Sequence, residues 1–121
     1  MLAYALYKAV HIFGVLLIFI SLGAALGLAR VGAGGNPHAR RVLAITHGFG
    51  FLIVLVAGMG LVARLGIPWP FAGWVWGKIA IWIVLGGLLT LALRRAGWSR
   101  LLWWATPLLG LAAAWLAIAK P

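Results

Sequence analysis

The chain contains no aspartate and no glutamate among its 121 residues, while 66% of those residues are hydrophobic. A water-soluble domain carries both signs of charge on its surface, commonly on about a quarter of its residues. Here 8% are charged, all of them Lys or Arg, and they fall between long apolar stretches. Such a chain is expected to fold with hydrocarbon, not water, around most of its surface.

Four apolar runs use nearly the whole length, over about 2–29, 42–63, 74–93 and 101–119. Each is close to the ~20 residues that a helix needs to cross the hydrocarbon layer. The period-two alternation of a membrane barrel is absent, and helices satisfy their own backbone groups in lipid. The sequence therefore predicts an all-α integral membrane protein, a four-transmembrane-helix bundle with short loops and one domain over 1–121. Val31-Gly-Ala-Gly-Gly-Asn-Pro37 reads as a loop, Gly66-Ile-Pro-Trp-Pro70 as a stiff turn, and Arg94-Arg-Ala-Gly97 as the end of the third span. The first run is too long for a signal-peptide core, so cleavage there is not expected.

Counting cations gives an orientation. Arg30, Arg40, Arg41, Arg94, Arg95 and Arg100 lie in or beside the first and third loops. Arg64 and Lys120 lie on the other side, with Lys8 and Lys78 in or near the membrane. The excess predicts both basic loops in the cytoplasm and both termini outside, in a bacterial cytoplasmic (inner) membrane. Tyr4, Tyr7, Trp69, Trp74, Trp76 and Trp115 then form one interfacial belt, and Trp98, Trp103 and Trp104 the other.

The net charge of +10 is scattered among spans rather than gathered on a stripe with exposed aromatics, so nucleic acid is not an expected partner. Anionic lipid headgroups fit short basic loops better. With no cysteine and no carboxylate, metal ligands can come only from three histidines, two methionines or the backbone. Gly23-x-x-x-Gly27, Thr46-x-x-x-Gly50 and Gly110-x-x-x-Ala114 offer small faces for close helix contact. Pro107 is expected to kink the last helix, with Thr106 able to satisfy a freed carbonyl.

Ionisable groups inside a span are costly and are functional candidates by default, and here they are His11, His47 and Lys78. Depth sorts them. His11 and Lys78 lie at similar depth on helices that run the same way, whereas His47 lies towards the other face. At about 1.5 Å per residue, the two histidines are some 15 Å apart along the membrane normal. Two axial ligands of one iron are only about 4 Å apart, so a haem shared by both is disfavoured. A lysine in apolar surroundings deprotonates, snorkels or finds an anion. One reading gives Lys78, with Lys8, an anionic ligand such as tetrapyrrole propionates. His11 is then an iron ligand or a proton-transferring base. The other reading makes Lys78 and Lys8 snorkelling anchors beside Trp74, Tyr4 and Tyr7. His47, beside Gly48, either ligates under a flat ring or bonds a carbonyl of a neighbouring helix, and His38 reads as a loop surface residue.

Lys8-x-x-His11-Ile, Trp76-x-Lys78 and the closing Ala119-Lys120-Pro121 resemble the HemJ-type protoporphyrinogen oxidases and, more loosely, the CopD-like four-helix membrane proteins. The resemblance implies bound haem b and a membrane oxidoreductase acting on a porphyrinogen-like substrate. It also implies functional roles for His11 and Lys78. The sequence departs from the HemJ pattern over Ile20–Arg30 and at Thr46-His47-Gly48. A second reading, from the scarcity of extramembrane residues and the unmatched charge, is a non-catalytic accessory subunit of a larger membrane complex, or a homo-oligomer.

Overall fold

In the computed structural model, Leu2–Lys120 are described, and four long helices carry nearly all of them: α1 (Leu2–Arg30), α2 (Pro37–Arg64), α3 (Gly73–Arg94) and α4 (Ser99–Ala119). All four are long and apolar enough to cross a membrane. No strand occurs among the described residues. The chain is an all-α, multi-pass membrane four-helix bundle. At about 1.5 Å per residue even α4, the shortest at 21 residues, spans a hydrocarbon layer of about 30 Å.

Neighbouring helices run antiparallel. Tyr7 of α1 packs on Gly60 of α2, Gly14 on Ile53 and Val54, and Ser21 bonds His47. Between α2 and α3, Phe51 meets Gly86, and the Arg40 Nη2 donates to the Leu93 carbonyl at 3.4 Å. Between α3 and α4, Leu116 rests on Gly77. Both chain ends thus lie at one end of the bundle, the terminal end, and both arginine-bearing connections at the other, the arginine end. Helix α1 touches all three other helices, whereas α2 and α4 stand on the long diagonal.

The second helix begins five residues before the expected 42. Asn36 and Pro37 are its N-cap and first residue, not loop. The Asn36 side chain accepts the Ala39 N–H at 3.1 Å, and proline needs no partner for a missing N–H. His38 therefore sits in the first turn of α2, where it is exposed. Two helix ends use glycine in the left-handed region: Gly32 at φ +76° and Gly66 at φ +68°. Each lets the chain fold back so that last-turn carbonyls find donors, Ala33 N–H to Leu28 and Ile67 N–H to Val62. A single 3₁₀ turn, Ala96–Trp98, replaces the expected loop before α4, which starts at Ser99 rather than 101.

The small-residue faces behave unequally. A Cβ on Gly50 would lie 2.8 Å from the Gly14 carbonyl oxygen and 3.0 Å from the Ile18 nitrogen, so α1 and α2 touch backbone to backbone there. Gly110 receives the Phe19 ring. Gly23 and Gly27, by contrast, face open space: a Cβ on either would have nothing within 4 Å among the described residues. Thr106 does not satisfy a carbonyl beside Pro107: its hydroxyl is buried with no hydrogen-bond partner among the described residues.

Packing is uneven along the bundle. The continuous core of Ile18, Leu22, Ala25, Leu26, Leu43, Leu85, Leu88, Leu89, Ala92 and Leu102 belongs to the arginine half. In the terminal half, Ala57 and Val75 are the buried side chains among the described residues. Helix α1 buries no residue before Gly14 and α4 none after Thr106.

Candidate functional site

His11 lies half-buried in that sparse half, on the side of α1 that meets α2. Its Nδ1 is 3.2 Å from the Val54 carbonyl oxygen. A carbonyl can only accept, so Nδ1 carries the proton and the Nε2 lone pair is left uncommitted. Gly58 makes the seat: a Cβ there would come within 3.4 Å of the His11 Cε1. A backbone carbonyl fixing one ring nitrogen while the other stays free is the usual way a ligating or proton-transferring imidazole is oriented.

Lys78 is half-buried on α3 next to Gly77, on which Leu116 of α4 rests, at the same end of the bundle as His11. Lys120 sits over the Trp74 ring, 5.7 Å from its centroid. His11, Lys78 and Lys120, from α1, α3 and α4, thus lie at the terminal end, with no Asp or Glu side chain in the chain to pair with the two amines. Lys8 does not join them. It is exposed, and its Nζ lies 5.8 Å from the Tyr4 ring centroid, further towards the end of the bundle. Lys120 had no expected site role, although a cation closing the fourth span on the same side as Lys78 was a usable signal.

His47 is in a different place and a different state. It is buried in the arginine half, 5% exposed, where its Nδ1 is 3.1 Å from the Ser21 hydroxyl. Ser21 has one proton and donates it to the Ile18 carbonyl at 2.8 Å. Donor counting therefore makes His47 Nδ1 the donor to Ser21 and leaves the lone pair on Nε2. That Nε2 is buried and unpartnered; the backbone of Leu85 and Gly86 borders the ring without hydrogen-bond geometry to it. Gly48 does not make room beside the imidazole, since it is exposed with nothing within 4 Å. Phe51 stands stacked 6.4 Å from the His47 ring and 3.9 Å from Trp82, whose indole N–H donates to the Phe51 carbonyl at 3.0 Å.

Ser21 and His11 are ten residues apart on α1, which separates the two imidazoles by about 15 Å along the helix. They cannot ligate one iron. No group of three or more His, Cys, Asp or Glu side chains converges as a metal site among the described residues. No protein-family model matches the chain, and no curated protein or solved structure matches it significantly.

The His11 group presents one free imidazole nitrogen, with the Lys78 and Lys120 amines at the same end of the bundle. A tetrapyrrole clamped between two histidines does not fit that arrangement.

Proposed function

We propose that this protein binds an anionic tetrapyrrole, haem b, at its terminal end and has a redox role of the HemJ/CopD-like kind. The observation that carries the reading is His11, fixed through Nδ1 to the Val54 carbonyl with Nε2 uncommitted and Lys78 half-buried at the same end of the bundle. His11 Nε2 is the ligand, or the base when a porphyrinogen-like substrate occupies the same place. Lys78 and Lys120 hold the propionate carboxylates, which supply the negative charge that the chain lacks. The sparse packing around them leaves a flat ring little to displace. A bound haem would supply one-electron chemistry; the chain supplies orientation, charge and low polarity. In this reading both termini face outwards from a bacterial cytoplasmic membrane, as the cation count implies.

The test is a reduced-minus-oxidised spectrum of the protein purified with haem supplied. Soret and α bands are expected, absent in His11→Ala and retained in His47→Leu. Lys78→Gln is expected to weaken binding about tenfold, the equivalent of a charged hydrogen bond of roughly 1.5 kcal/mol. No bands in the parent, or equal bands in a monodisperse His11→Ala protein, would remove the proposal.

A second reading is favoured by the exposed apolar face of α4, on which Leu108, Leu111, Trp115 and Ile118 are each more than 60% exposed. This face suits a non-catalytic subunit of a larger membrane complex, whose partners would balance the charge.

A further inference from the structure

The arginine end carries a second unmatched charge, remote from His11. Arg40 differs from the six other arginines in being half-buried; the rest are exposed. Its Nη2 donates to the Leu93 carbonyl, an acceptor in the last turn of α3 that has no partner further along its own helix. This bond pins the first basic connection against the second. Arg41, Arg94 and Arg95 lie in the turns next to this bond, and the Ala96–Trp98 turn packs on α1, which ends in Arg30. Arg100 lies in the first turn of α4. The positive ends of the α2 and α4 dipoles at this end are balanced by the negative ends of α1 and α3, so the arginines themselves set its charge. Only one of the Arg40 guanidinium's five N–H donors is used, and the chain has no carboxylate for the others.

We propose that this end is a binding site for the phosphodiester headgroup of an anionic phospholipid. Guanidinium forks match phosphate oxygens in geometry, and a net-negative headgroup supplies the charge that a zwitterionic one cannot. Trp98, Trp103 and Trp104 are all exposed at this level, as interfacial anchors are, so the cluster lies in the headgroup layer. Arg40 is the fixed member of the site, and Arg30, Arg41, Arg94, Arg95 and Arg100 close over the headgroup. The lipid clamps the α1–α2 hairpin to the α3–α4 hairpin.

The experiment is native mass spectrometry of the full chain in nonionic detergent, titrated with dioleoyl phosphatidylglycerol or with dioleoyl phosphatidylcholine. Phosphatidylglycerol is expected to stay bound at concentrations where phosphatidylcholine does not. Affinity is expected to fall about fivefold for each arginine removed in Arg40→Gln and in Arg94→Gln/Arg95→Gln. Arg64→Gln, at the other end, is expected to leave it unchanged. Arg40→Lys, which keeps the charge and loses the fork, is expected to bind more weakly than the parent. Thermal unfolding of the same proteins checks that each variant folds. Equal retention of the two lipids would overturn the proposal, as would an Arg64→Gln loss equal to that of Arg40→Gln. Displacement of the lipid by inorganic phosphate at equal concentration would make it a free-anion site and overturn it too. So would a stoichiometric acidic protein that co-purifies and is lost in Arg40→Gln.

Discussion

His11 and His47 each sit alone among apolar neighbours on their own helices, yet their imidazoles are committed in different ways. One gives a single nitrogen to a backbone carbonyl, while the other is enclosed and bonded to a serine. The enclosed one predicts a coupling. Removing the Ser21 hydroxyl leaves a second imidazole nitrogen unpaired in the core. Ser21→Ala is expected to destabilise the bundle by about 1 kcal/mol, within the range of buried interhelical hydrogen bonds in membranes. Replacing both partners, in Ser21→Ala/His47→Leu, is expected to recover most of that loss, because neither orphan then remains. Unfolding midpoints in a denaturing-detergent titration measure the cycle; strictly additive effects would contradict the assigned bond. Depth counting along the sequence could separate His11 from His47 and set His11 level with Lys78. It could not find Ser21, because a lone serine in an apolar run looks the same whether it back-bonds to its own helix or bridges to another. Here it does both.

Helices were the most legible level, for a physical reason. Lipid requires continuous internal hydrogen bonding over a fixed thickness, so apolar length alone locates a span. Ends were less legible, since Asn36-Pro37 extends α2 beyond its apolar run through capping rather than hydropathy. Glycine spacing proved a poor guide to contacts, because it shows which face is small and not what that face meets. Gly50 meets the α1 backbone, whereas a Cβ on Gly23 or Gly27 would meet nothing among the described residues. Gly50→Val is therefore expected to force α1 and α2 apart and cost roughly 1–3 kcal/mol, as overpacking does. Gly27→Ala is expected to be neutral or to stabilise by up to about 1 kcal/mol through helix propensity. Thermal unfolding in one detergent compares the two, and equal losses would mean that the backbone contact does not govern the pairing.

At the scale of the whole molecule, the bundle is dense where the arginines are and sparse at the end that carries His11, Lys78 and Lys120. Composition identified the solvent of this fold, but it could not show that asymmetry, since leucine and alanine are abundant in both halves. The same asymmetry keeps the accessory-subunit reading testable. Extraction in a mild detergent is expected to give the chain without stoichiometric companions if His11 serves a cofactor of its own. A fixed companion whose release exposes the α4 face would favour the subunit reading instead.

A bundle sewn shut at one end and sparsely filled at the other spreads the cost of substitution unequally. Truncating Leu22, Leu26 or Leu89 opens a void among close-packed neighbours, whereas a change in side-chain size beyond Thr106 on α4 is met by lipid chains that flow around it.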